Sequence, residues 1–218
     1  MMINDIKNIF NVKKMIRVLL YATIPGLIFY TIAFNIMHTN GYHTMEIIRD
    51  FAQLMDESSF LGFLSSIGTW LWVSAAAIAF FGFFTVSSPK ETKHKELLLL
   101  LGIFSLLLAI DDFFMIHDRY IDQNICYGTY AFLAIALLVR HYKIIIEING
   151  FGFLLAGTLL AASIFTDLIQ DDLPFDYSNI QIVEEGFKFT GGATWLFFVA
   201  LSASFHPIIK KQKNKKKQ

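Results

Sequence analysis

Residues 96–110 read ELLLLLGIFSLLLAI, and residues 111–122 continue DDFFMIHDRYID. A long uncharged, mostly apolar run leads straight into two adjacent aspartates. A bilayer core takes about 20 mostly apolar residues of helix, so this run fills a span only if the aspartates are drawn into it. Counted at about 1.5 Å of rise per residue from Leu97, Asp111 and Asp112 stand roughly 21 to 23 Å along, still within the apolar layer. A charge near the centre of a span costs on the order of 2.5–3.5 kcal/mol, and less toward the interface. Such a group normally faces a bundle interior or a wet cavity. The stretch therefore predicts a membrane-spanning helix together with a polar site for its end to face.

The rest of the chain has the same character. It is 218 residues long, 55% hydrophobic and 16% aromatic, with a mean hydropathy of +0.53, too apolar for an ordinary soluble domain of this length. Six stretches are long enough to cross: 17–37, 62–86, 97–118, 124–142, 150–170 and 183–206. In lipid every amide must be bonded internally, so the expected fold is all-α, a polytopic integral membrane protein with one six-helix domain over 17–206. Residues 1–16 carry Ile3, Ile6, Phe10 and Ile16 at helical spacing between lysines, as an interfacial amphipathic helix does. Residues 44–60, TMEIIRDFAQLMDESSF, place Met45, Ile48, Phe51, Leu54 and Met55 on one face and predict a second such helix on the outer surface. Residues 207–218 form a Lys-rich tail, read as a topology anchor that also touches anionic lipid.

Fifteen of the eighteen Lys and Arg fall at the two termini and in the loops around residues 90–95 and 140–143. By the positive-inside rule, both termini are cytoplasmic and the protein is a multi-pass component of the cell membrane. Fourteen of the eighteen acids fall on the opposite side. Acids contribute little to orientation, so that excess needs its own cause. The single cysteine, Cys126, excludes an intramolecular disulfide. No glycine-rich phosphate loop, G-x-S-x-G, HExxH or CxxC is present, and nothing points to nucleic acid.

Two more spans bring polar groups to the depth of Asp111 and Asp112. Asp167 and Asp171 are four apart on one face, with Asp172 beside them. Glu184 and Lys188 are four apart in the favourable acid-first order, with Glu185 as a neighbour. A lysine at that depth needs a partner, and an aspartate of the third span is the obvious one. On a continuous third helix, Asp111 and Asp118 share a face and His117 points about a third of a turn away. His38 and His43 lie on the same side of the membrane, whereas His94 and His141, among lysines on the other side, are expected to be solvated.

This layer carries three readings. In the first, Asp111, Asp112, His117, Asp118, Asp167, Asp171 and Glu184 supply ligands to a divalent metal ion: Mg, Ca or Mn for an oxygen-rich set, Zn if His117 joins. Asp112, His117, Glu185 and Lys188 then act as base and anion stabiliser in hydrolysis of a lipid or lipid-linked substrate. In the second reading the carboxylates are the cation or proton site of a transporter or channel, with Lys188 as the competing internal charge. In the third they pair with one another and hold helix ends together in a membrane scaffold.

Overall fold

The computed structural model describes residues 12–13, 16, 19–48, 51–58, 60–86, 92–172 and 174–205, the side chains of Tyr21, Ala22, Gly26, Phe51 and Asp171 excepted. Within these residues all regular structure is helical. Three helices are long and apolar enough to cross a membrane, and a shorter apolar helix covers Leu27–Thr39. The chain divides into two compact units, Met1–Leu61 and Gly62–Gln218.

In the first unit a π-helical turn, Leu19–Thr23, leads into α1 (Ile24–Thr39), which begins with Pro25 where its missing N–H costs no bond. The end of α1 is closed by Asn40, whose side chain donates to the Ile36 carbonyl at 2.7 Å, and by Gly41 at φ +96°, a conformation that favours glycine. Of the helix expected over 44–60, α2 (Thr44–Ile48) and α3 (Phe51–Leu54) are helical, residues 49, 50 and 59 lie outside the described residues, and the helix does not continue past Leu54 into 55–58. Glu46 accepts the His43 N–H at 2.7 Å in a capping arrangement at the start of α2. Apart from residues 12, 13 and 16, the amphipathic helix expected over 1–16 lies outside the described residues, as does the tail over 207–218.

The second unit contains α4 (Phe63–Thr85), α5 (Thr92–Phe114), the single turn α6 (Ile116–Arg119), α7 (Gln123–Leu168) and α8 (Tyr177–Ser204). A straight helix of the 46 residues of α7 would be roughly 69 Å long, more than twice the hydrocarbon thickness. It is not straight. Tyr127 near its start donates to Asp167 near its end at 2.9 Å, so α7 folds back on itself. The reversal lies between two residues with non-helical dihedrals, His141 (φ −119°, ψ 16°) and Asn149 (φ −170°, ψ 82°). Asn149 then accepts the Gly152 N–H at 2.9 Å, as an N-cap restarting the second arm. The two arms correspond to the stretches expected at 124–142 and 150–170.

Lipid tails are as apolar as leucine, so burial of leucine does not by itself drive helices together; close packing and interhelical hydrogen bonds do. Both are present. A Cβ on Gly82 would stand 3.0 Å from the Ala203 Cβ, which brings α4 against α8. Trp195 of α8 sits at the centre, edge-on or tilted to Phe104, Phe153 and Phe198, and donates its Nε1–H to the Ser105 hydroxyl at 2.9 Å. Around it Leu97, Leu101, Ala75, Ala79, Ile145 and Val199 are fully buried.

Two histidines depart from expectation. His94 is buried, with Nε2 at 2.8 Å from the Ser202 carbonyl, and His141 is buried at the bend of α7. The flanking lysines suggested solvent, but His94 continues the stripe of Leu97, Leu98 and Leu101 that α5 presents to its neighbours. Arg140, at the end of the first arm of α7, reaches Glu96 at the start of α5 through both Nε and Nη2, at 2.6 and 2.5 Å.

Candidate functional site

The site begins where α5 stops. Met115 takes the left-handed conformation at φ 52°, ψ 47°, which costs a non-glycine residue roughly 1–2 kcal/mol and ends the helix at Phe114 rather than at 118. The chain turns back through α6, and His117 returns onto the helix it has just left. Its backbone N–H donates to Asp111 Oδ1 at 2.9 Å, and its ring Nδ1 lies 2.8 Å from Asp111 Oδ2. The expectation that His117 points away from Asp111, with Asp118 on the Asp111 face, is corrected by that one residue. Asp118 is mostly exposed, its nearest oxygen 3.4 Å from His117 Nε2.

Asp111 is buried and His117 nearly so, which makes the pair a dyad rather than a surface contact. The hydrogen bond to Asp111 and the charge of that carboxylate raise the imidazole pKa above its ordinary 6.5, against the opposing effect of burial. With Nδ1–H committed to Asp111, Nε2 is the nitrogen left to exchange a proton. The His117 ring lies tilted against Tyr127 at 5.7 Å.

Asp112 faces the other way. Lys188 of α8 reaches its Oδ1 at 2.7 Å, and Thr69 of α4 donates to its Oδ2 at 2.6 Å, so one carboxylate ties three helices. The expected Lys188 partner is therefore present, with Glu185 as the weaker neighbour at 3.6 Å. An ammonium carries three donors, so Lys188 keeps donor capacity beyond Asp112. A third polar chain crosses the same end of the unit. Asp167 accepts from Tyr127 and, at 3.1 Å, from Gln170; Gln181 donates to Glu184 at 2.7 Å and reaches Gln170 at 3.4 Å.

These groups surround a cavity of about 110 Å³ lined by Asp111, Asp112, His117, Tyr127, Glu184 and Lys188, with Trp72 and Phe104 among its apolar walls. A second, larger space of about 470 Å³ lies between α4 and α8, lined largely by Leu64, Gly68, Leu71, Gly186 and Phe189. Trp72, Asp112 and Lys188 line both.

Not every candidate arrives. Glu185 sits on the rim of the larger space, Asp172 is exposed, and the Asp171 side chain lies outside the described residues. His38 belongs to the first unit and turns its ring to the Tyr42 carbonyl at 3.3 Å, and His43 lies in the same unit. Among the described residues, no group of three or more His, Cys, Asp or Glu side chains is arranged to hold a metal ion. The protein's own donors engage the carboxylates instead. Apart from one spacing, nothing in the sequence singles out Thr69, Tyr127, Gln170 and Gln181, or Tyr130, which lines the cavity. The one usable signal was the turn-apart spacing of Tyr127 and Tyr130 at the same end as Asp111.

A family match spans residues 18–202, covering both the dyad and the Lys188 pair. The chain belongs to the family described as Domain of unknown function (DUF8692). No curated protein and no solved structure matches it. For DUF8692, then, the chemistry of the site has to be read from its residues.

Proposed function

We propose that this DUF8692 protein is a membrane-embedded, hydrolase-type enzyme acting on a lipid or lipid-linked substrate. It crosses the cell membrane six times, both termini are cytoplasmic, and the site lies on the extracytoplasmic side. One observation carries the reading: a proton-accepting dyad and an ammonium line one small, largely apolar cavity, and that cavity shares Trp72, Asp112 and Lys188 with an apolar cleft. The cavity exceeds the roughly 10–15 Å³ that a water requires.

The steps follow from the groups present. His117 Nε2 accepts a proton from water as the water attacks the carbonyl carbon of an ester or amide. Asp111 holds the ring and stabilises the imidazolium that forms. Lys188 donates to the developing oxyanion while Asp112 and Thr69 fix its position. When the carbon–heteroatom bond breaks, the imidazolium returns the proton to the leaving group. A cation-dependent form of the same reaction draws on Asp111, Asp112, Asp167 and Glu184, and elemental analysis of the purified protein beside an EDTA-treated sample tests it.

Packing supports chemistry over transport. Away from the site the unit is filled by Trp195, Phe198, Leu101 and Val199, which leaves a site served from one end. The direct test is hydrolysis of a panel of ester- and amide-linked lipids by protein in phosphatidylcholine vesicles. His117→Ala and Lys188→Met should each abolish turnover, with the helical fold of each variant checked by circular dichroism in the same vesicles. Wild-type turnover in His117→Ala would falsify the reading.

A further inference from the structure

Small residues on facing helices normally let the helices touch. Between α4 and α8 they do so at one end only. Gly82 meets Ala203, and a Cβ on Gly192 would stand 3.4 Å from the Trp72 ring, but Gly68 and Gly186 have nothing within 4 Å. The two helices therefore converge at one end and part toward Asp112 and Lys188, leaving a tapered apolar cleft of about 470 Å³. Ligand sites commonly measure about 300–1,000 Å³. An unfilled apolar wedge forfeits dispersion contacts along both walls, so in a bilayer a hydrocarbon chain belongs in it.

The polar end of the cleft selects the head group. Its ionisable side chains are Lys188, Asp112 and Glu185. Asp112 already neutralises the ammonium at 2.7 Å, and Glu185, at 3.6 Å from it, adds an exposed negative charge. A phosphate or free carboxylate would meet net repulsion there. Hydroxyl and carbonyl groups would instead find the remaining Lys188 donors and the Glu185 acceptor. We infer that the cleft between α4 and α8 binds one acyl chain of a lipid with an uncharged, hydroxyl- and carbonyl-bearing head, and presents that head to Lys188. This rests on the proposed hydrolysis for its catalytic meaning, not for binding.

The test uses full-length protein in phosphatidylcholine vesicles and two photoactivatable probes of the same chain length, a monoacylglycerol and a lysophosphatidic acid. The monoacylglycerol should label peptides of α4 and α8, with the anionic probe labelling them several-fold less. At Gly186 and Gly68 an added Cβ meets nothing within 4 Å, so Gly186→Leu and Gly68→Leu put a side chain into the cleft, and each should lower labelling by about tenfold. Gly128→Leu, also without neighbours but outside the cleft, should leave it unchanged. Equal labelling in all four proteins, or a stronger signal from the anionic probe, would overturn the inference. His117→Ala should still label. Labelling without any wild-type hydrolysis would remove the enzymatic reading and leave the binding site standing, and hydrolysis unaffected by both glycine substitutions would do the reverse.

Discussion

The two ends of the α4–α8 pair are held by different physics. At one end backbone meets backbone, with Gly82 against Ala203, while the Trp195 cluster packs midway along α8. At the other end the helices stand apart and are bridged by Lys188, Asp112 and Thr69. The first end owes its stability to shape and tolerates no addition. The second depends on charge and keeps room for a guest. Close packing and a charged bridge are thus placed at opposite ends of one pair of helices, and substitutions at the two ends should behave differently.

The largest effect is expected from breaking the bridge one partner at a time. Lys188→Met leaves Asp112 buried and uncompensated and should cost about 3–5 kcal/mol, whereas pairing it with Asp112→Asn should recover much of that loss. Unfolding of the single and double variants in mild detergent checks this, and a double variant no better than the single would mean that the bridge is not a paired unit. At the closed end, Gly82→Val forces the Ala203 backbone away and should cost about 1–3 kcal/mol, while Gly186→Val at the open end should change stability little. Equal losses at both would remove the contrast.

The dyad gives a pH signature. Because the His117 pKa is raised in the folded protein, its stabilisation is fully present below the ordinary value of about 6.5 and is lost as pH rises through the higher folded value. The groups facing the ring are Asp111, Asp118, Lys188 and Tyr127. Protection of residues 115–119 from hydrogen exchange, taken relative to the intrinsic rate at each pH, should therefore fall on the alkaline side, while the proposed hydrolysis rises over the same interval as Nε2 loses its proton. His117→Gln should flatten the exchange profile. The smallest effects belong to Met115→Gly, which should gain about 1 kcal/mol by relieving the left-handed residue, and to Glu96→Ala. The Glu96 partner, Arg140, is largely exposed, so that pair should contribute less than about 1 kcal/mol to thermal unfolding.

What could be read from the sequence follows the range of the forces involved. Hydrophobic run lengths found α4, α5 and both arms of α7, because lipid imposes length directly. That Lys188 meets an aspartate of the third span was legible for a related reason: a lysine at that depth requires a counter-charge, though which of Asp111 and Asp112 supplies it was not. The Asp111–His117 dyad was not legible. It hangs on Met115 leaving the helical region, and methionine carries no preference that announces a left-handed residue. His94 was misjudged because its lysine neighbours outweighed its spacing to Leu97 and Leu101. The cleft could not be read at all, since the same small residues serve close contact at Gly82 and open space at Gly68.

The hairpin of α7 also has a meaning in time. Tyr127 and Asp167 are 40 residues apart, so at roughly 5–20 residues per second the first waits about 2–8 s for the second to leave the ribosome. Asp112 waits longer still, because Lys188 comes on α8. Until α8 enters, the nascent protein holds Asp112 at the end of an apolar helix without its cation. A chain cut short before α8 therefore carries an electrical mark of incompleteness that the finished protein erases.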